Sequence, residues 1–228
     1  MKPYSSIETV FKRDAMTKKI IPGMLREPEN GLIKLWRIRE KIDGTNIRVI
    51  VRYTPTLQLE VKGRSDNAQI PSGIKDAIDK IFVGKLDLIQ QKYLPNPEST
   101  ITFYGEGYGP GIQGSEKMNY RPSGKWWRCF DIKLGDNYWI PDVELDDACA
   151  ALQIPIAPYL GFITSIPTNK HEMPVMYSRV SQEDYGTIIS SDMILAQQLE
   201  GIVAKPEYTL YNASGSRVQW KLCMRDLS

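Results

Sequence analysis

Glu40-Lys41-Ile42-Asp43-Gly44-Thr45-Asn46 lies between two runs rich in apolar and β-branched residues, Leu32–Ile38 and Ile47–Val51. That context predicts strand, sharp turn, strand, with a hairpin extending over Leu32–Tyr53. A lysine on such a turn is held by its flanking strands and can face a cleft. Gly44 lets the backbone approach a ligand closely. Asp43 and Asn46 can fix the turn through side-chain hydrogen bonds. On its own, a lysine in a hairpin is most often an ordinary surface residue, so the meaning of this stretch depends on the rest of the chain.

Outward from it, Leu57–Val61 reads as a strand. Apolar residues at Ile74, Ala77, Ile78, Ile81, Phe82, Leu86 and Ile89 have helical spacing with a break near Gly84. Thr100–Tyr104 is a strand running into Gly105–Gly111, and Tyr108–Gly114 is a glycine-rich loop. That loop lacks the Gly-Lys-Ser/Thr ending of a P-loop, and a mobile loop is expected there. Trp126–Leu134 and Tyr138–Ile140 form a hairpin across Gly135-Asp136-Asn137. Pro141–Leu152 is a helix, with Pro141 and three acidic residues near its start. Tyr159–Thr164 is a short strand and Pro167–Gly186 a polar surface excursion. Ile188–Leu199 has a helical pattern, and Gly201–Ala204 and Arg217–Cys223 are strands around an Asn212–Ser216 turn. Many strands with a few interposed helices predict an α+β fold with mainly antiparallel sheets.

Composition bounds the function. The 228 residues are 42% hydrophobic and 25% charged, as in ordinary globular proteins. No apolar run reaches membrane-spanning length, and Met1–Val10 lacks the apolar core of a signal peptide, so a cytoplasmic location without a membrane partner is expected. Three scattered cysteines and the single His171 in a polar stretch argue against zinc, a disulfide framework or a histidine triad. Net charge is +2, so any nucleic-acid contact must come from a local basic face. The cluster Lys12, Arg13, Lys18 and Lys19 is read as a solvated face.

Five further stretches place charged residues at strand ends or turns. They are Lys62-Gly63-Arg64-Ser65-Asp66-Asn67, Tyr104-Gly105-Glu106-Gly107, Trp127-Arg128-Cys129-Phe130-Asp131-Ile132, Leu199-Glu200-Gly201-Ile202-Val203-Ala204-Lys205 and Gln219-Trp220-Lys221-Leu222. The stretch around Lys41 resembles motif I of the covalent nucleotidyltransferases, the ligases and mRNA capping enzymes. The other five resemble, in order, the arginine-bearing element after motif I and motifs III, IIIa, IV and V. Each alone is weak; six in order over residues 40–223 are specific. The wording Glu-Lys-Ile-Asp-Gly-Thr-Asn is most similar to ATP-dependent RNA ligases of the RNA ligase 2 type. Capping enzymes usually carry arginine where Asn46 stands, and DNA ligases commonly do at or near it. The chain ends seven residues after Lys221. The expectation is therefore one nucleotidyltransferase domain over residues 1–228 with no OB domain after motif V.

The resemblance implies a function and roles. Lys41 is the nucleophile, becoming linked to AMP, and Lys205 and Lys221 serve the same chemistry. Lysine ordinarily titrates near 10.4, so the attacking amine must be shed of its proton by nearby cations and desolvation. Glu200 is expected to hold Mg²⁺ or Mn²⁺, with Glu106 as a second metal or ribose contact. Glu40 and Ile42 border the base, Asn46 binds a ribose or phosphate oxygen, and Arg64 grips a phosphate. Trp127 and Phe130 are both candidates to stack on adenine. Three apart on a strand they face opposite sides, and Phe130 is the expected one. The implied cofactors are ATP and the divalent metal. The implied partner is RNA with 5′-phosphate and 3′-hydroxyl ends, or an RNA/DNA hybrid, met by a monomer. A DNA ligase or guanylyltransferase domain, and an RNA-end-binding protein without sealing activity, are the rivals. Motif V of this type usually reads Lys-x-Lys; here the second place is Cys223, and Arg225 is expected to compensate if the strand continues.

Overall fold

The computed structural model describes residues 4–65, 68–112, 118–185 and 197–227. They divide into two compact units, one of Met1–Ser5 with Asp43–Ala157, the other of Ser6–Ile42 with Pro158–Ser228. The fold is α+β, with antiparallel sheets. No helix among the described residues is long and apolar enough to cross a membrane.

The second unit begins with a hairpin of β1 (Phe11–Arg13) and β2 (Ile20–Leu25), followed by a 3-10 turn at Pro28–Leu32 and then β3 (Trp36–Glu40). The first unit follows with β4 (Thr45–Thr54), β5 (Thr56–Gly63), helices α1 (Ile74–Phe82) and α2 (Leu86–Tyr93), β6 (Thr100–Tyr108), β7 (Trp126–Leu134), β8 (Tyr138–Trp139) and α3 (Asp142–Ala151). The chain returns to the second unit for β9 (Tyr159–Ile163), α4 (Arg179–Tyr185), β10 (Gly201–Pro206) and β11 (Trp220–Cys223).

In the first unit the strand order is β5-β4-β6-β7-β8. Strand alternation points Ile47, Val49 and Val51 of β4, Ile101 and Phe103 of β6, and Trp127 of β7 into one core. Helix α1 offers Ile74, Ala77, Ile78, Ile81 and Phe82 from one face, and Phe82 packs edge-on against Phe103 and Trp127 at 5.2 and 5.9 Å. Gly84, at φ +74, turns the chain out of α1 and into α2, as its place in the sequence predicts. The β7–β8 hairpin and the helix beginning after Pro141 also fall where expected.

The second unit carries a four-stranded sheet in the order β11-β10-β3-β9. Trp36, Ile38, Ile202, Ala204, Trp220 and Leu222 fill its core face together with Val10 and Phe11. Two sequence expectations are corrected here. The hairpin around Lys41 does not exist: β3 pairs with β9 and β10, whereas β4 pairs with β5 and β6 in the other sheet. β-branched runs on either side of a turn look alike whether or not the strands pair, because pairing is decided by distant partners. Nor is Pro167–Gly186 wholly a surface excursion, for it contains α4 and buries Ser178, Val180, Ser181 and Tyr185. The helix expected over Ile188–Leu199 lies largely outside the described residues, as does part of the glycine-rich loop.

Candidate active site

Lys41 follows the last residue of β3, and its backbone N–H donates to the carbonyl of Gly201 at 2.9 Å. This ties the lysine to the start of β10. Glu200 immediately precedes that strand and is nearly buried. Its Oε2 meets Lys41 Nζ at 2.6 Å, an ion pair and not an aligned hydrogen bond. Lys41 itself keeps 21% of its side chain exposed, so it is held without being sealed off. The structure thus brings together the expected nucleophile and the expected metal carboxylate, 159 residues apart in sequence.

Glu40 points to the core side of the sheet. Its carboxylate accepts from Ser178 Oγ at 2.5 Å and from the backbone N–H groups of Arg179 and Val180 at 2.8 and 3.0 Å. Ser178 Oγ in turn accepts from the N–H of Ser181. Glu40 and Ser178 therefore satisfy the first N–H groups of α4. Its carboxylate, expected to border a base, is engaged by the head of α4 and so anchors the backbone next to Lys41. Ile42 is buried.

The opposite face of this sheet is cationic. Register places Lys221, Val203, Arg39 and Tyr159 in one row and Lys205, Arg37 and Phe162 in the next. Lys205 and Lys221, named from the sequence, thus share the face that also carries Arg37 and Arg39, which sequence reasoning missed. Alternation of apolar and basic residues over Trp36–Arg39 is the signal that marks them.

Cys223 lies opposite Gly201 and is buried. Burial, and next the Glu200 carboxylate, push its thiol up to about 11, so it is neutral near neutral pH and cannot stand in for a lysine. Arg225 does not continue that strand. β11 stops at Cys223, and Met224–Asp226 turns as a 3-10 helix with Arg225 exposed. The compensation expected from strand geometry is thereby removed. Arg225→Ala is expected to change adenylylation less than about twofold. Cys223→Lys should lower the melting temperature by burying a longer charged chain. It should also raise the labelling rate of the folded fraction at neutral pH, because a second ammonium beside Lys41 favours the neutral amine. Single-turnover labelling with ATP and thermal melting measure the two effects separately.

In the first unit, Asn46, Glu106 and Arg128 align across β4, β6 and β7. Asn46 Oδ1 is buried and has no hydrogen-bond partner among the described residues. A buried acceptor left open is costly unless something donates to it. Arg128 donates from Nε to Tyr108 Oη at 2.8 Å. Gly44 lies so close to β6 that a Cβ there would overlap the carbonyl oxygen of Gly107, which fixes this position as glycine. The Asp43 N–H donates to Tyr120 Oη at 2.9 Å, so a tyrosine far along the chain braces the turn. Nothing local to residues 40–46 could have indicated it.

Trp127 and Phe130 part company as their spacing requires, Trp127 with Cys129 on the core face and Phe130 away from it. Tyr104 pairs with Asp131 and Gly105 with Cys129, which leaves Phe130 as the extra residue of a β-bulge. Trp127 is wholly buried in the core, its indole N–H donating to the Ile47 carbonyl at 3.3 Å, and is not placed to stack on a ligand. Phe130 is half-buried and packs edge-on against Tyr4 at 5.1 Å. Tyr4 also donates to Asp131 Oδ2 at 2.8 Å. Arg64 is exposed just after β5, and its neighbours Asp66 and Asn67 lie outside the described residues.

No three carboxylate, cysteine or histidine side chains gather among the described residues. Glu200 supplies one nearly buried carboxylate facing an ammonium. That donor set fits a Mg²⁺ or Mn²⁺ ion that takes one carboxylate and fills its shell with water and phosphate oxygens.

Among curated proteins none matches the chain. Solved structures do. The Naegleria gruberi RNA ligase, in a lysine-to-alanine variant with ATP and Mn, superposes with a TM-score of 0.60 at 15% identity, covering 96% of this chain and 60% of that one. The same ligase with PPi gives 0.56 at 15% identity over 99% and 62%. With AMP and Mn, a lysine-to-methionine variant gives 0.57 at 15% identity over 98% and 62%. The chain thus spans about three-fifths of the length of these structures and shares their fold. A family model described as RNA ligase matches residues 34–222, the span from just before β3 to the end of the motif V stretch, and the chain belongs to the RNA ligase family.

Proposed function

We propose that this chain is an ATP-dependent RNA ligase that works in the cytoplasm, with residues 1–228 serving as one nucleotidyltransferase domain. The observation that carries the reading is the 2.6 Å pairing of Lys41 with Glu200 in a member of the RNA ligase family. The Naegleria ligase was solved with ATP, AMP, PPi and Mn, and the same nucleotide chemistry is proposed here.

In this reading Lys41 Nζ, having lost its proton to water, attacks the α-phosphorus of ATP. A nitrogen–phosphorus bond forms and the bond to pyrophosphate breaks. The AMP then passes to the 5′-phosphate oxygen of an RNA end, and Lys41 regains a proton. A 3′-hydroxyl finally attacks that phosphate, releasing AMP and leaving a phosphodiester. Each step is an in-line displacement, served by positioning and positive charge. Glu40 fixes the backbone beside the nucleophile through α4. Lys205 and Lys221, partly exposed, hold the phosphates by charge, and the buried Arg39 adds to the positive field. Asn46 donates or accepts at a ribose or phosphate oxygen, Glu106 accepts from a ribose hydroxyl, Phe130 stacks on the base, and Arg64 reaches a phosphate. A divalent cation on Glu200 would neutralise phosphate charge and draw that carboxylate away from the Lys41 ammonium.

Substrate choice tests the proposal. Nicks with RNA at the 3′-hydroxyl side are expected to be sealed at least about tenfold faster than all-DNA nicks under single-turnover conditions, a difference of about 1.4 kcal/mol in the barrier. Equal rates would make this a DNA ligase. Labelling by ATP without sealing of any nick would leave an end-binding protein.

A further inference from the structure

β9 contains a bulge that the sequence writes as Tyr159-Leu160-Gly161-Phe162. Ile38 pairs with Gly161 and Arg39 with Tyr159, so Leu160 is the extra residue. Gly161 has φ +110, a conformation that side chains rarely adopt. The bulge reverses the strand's alternation, and Tyr159 and Phe162, three residues apart, emerge on the same face. Their rings meet edge to face at 5.7 Å. Arg37 lies 4.3 Å over the Tyr159 ring and 5.3 Å from that of Phe162, and Arg39 approaches Tyr159 at 5.9 Å.

This is the cationic face that also carries Lys205 and Lys221. β9 is the outer strand of the sheet, and Phe162 remains 45% exposed there. An aromatic ring open to solvent on a strand, backed by guanidinium groups, suits neither a core nor a bare surface. Arg37 and Arg39 are themselves buried, and Lys205 and Lys221 are the partly exposed cations of this face. The exposed ring suits a nucleobase, whose flat face stacks on it while the phosphates meet those lysines.

We propose that Phe162, supported by Tyr159 and Arg37, is a stacking platform for a base of the RNA strand being joined. The inference takes its partner from the RNA ligase reading. Arg37 is four residues from Lys41 along an extended chain, roughly 13 Å. At about 3.4 Å per stacked nucleotide, the platform grips a base within about four nucleotides of the reacting end.

The test is equilibrium binding of a short fluorescently labelled, 5′-phosphorylated RNA to the whole chain and to Phe162→Ala, Phe162→Leu and Phe162→Trp, with ATP labelling measured on the same preparations. Phe162→Ala should weaken RNA binding about tenfold, the loss of one base–aromatic stack. Phe162→Leu, apolar but without a π face, should be equally weak, and Phe162→Trp should match the parent. RNA binding by the Ala variant equal to that of the parent, Leu performing as well as Trp, or no RNA binding by the parent would overturn the platform. Failure of the ligase reading shows separately, as absence of ATP labelling in the parent chain.

Discussion

Incubated with α-labelled ATP and Mg²⁺, the parent chain is expected to acquire one label that acid removes and base spares, as a phosphoramidate requires, and Lys41→Ala none. The expected loss is at least about 10³-fold, since no other group replaces a deleted nucleophile. The alanine variant carries a side effect: it strands the nearly buried Glu200 carboxylate without its ammonium, at a cost of a few kcal/mol. Lys41→Arg separates chemistry from folding. It keeps a cation against Glu200, while its guanidinium does not lose a proton at neutral pH and is a poor nucleophile. It should melt close to the parent and still take no label. Persistent acid-labile label in either variant would move the nucleophile to another lysine.

The second large effect is on stability. Glu40→Ala should cost about 3–5 kcal/mol, because the Ser178 hydroxyl and the Arg179 and Val180 N–H groups lose a charged, buried acceptor at the head of α4. A drop of roughly 10 °C in melting temperature is the corresponding observable. Ser178→Ala, which removes one acceptor for Ser181 and one donor to Glu40, should cost less, about 1–2 kcal/mol. If Glu40→Ala melts like the parent yet binds ATP poorly, Glu40 belongs with the base after all and the capping role is wrong.

The contrast between Lys41 and Glu40 shows what the sequence could carry. Lys41 and Glu200, which the structure pairs, could be singled out because each sits in a short charged pattern at a strand end. The strands and helices around them were legible because their apolar periodicities are local: Ile74–Phe82 reads as one helical face wherever it packs. The contacts of Glu40 with α4 were not legible, because its partners, 138 to 140 residues away, belong to a stretch that looks only polar. The false hairpin at residues 32–53 has the same origin, since strand partners are chosen at long range. Tyr120 and Tyr4 brace their surroundings through single hydrogen bonds and rings that leave no periodic trace. Phe130 was distinguishable from Trp127 by parity, but the bulge there, which brings Ile132 back to the core, rests on the register with β6.

That long-range pairing sets an order of events during synthesis. β3 emerges early, yet both its neighbours come after the whole first unit has been made: Arg39 waits for Tyr159 on one side and for Val203, 164 residues on, at the other. Closing such distant segments is entropically costly and slow compared with the local hairpins β4–β5 and β7–β8. The first unit can therefore mature on the ribosome while β3 is still an unpaired edge, open to wrong partners. Lys41 acquires its carboxylate and its backbone tether only when residues 200 and 201 arrive. Chains cut short before that point lack both the Lys41–Glu200 pair and the tether of Lys41 to the Gly201 carbonyl.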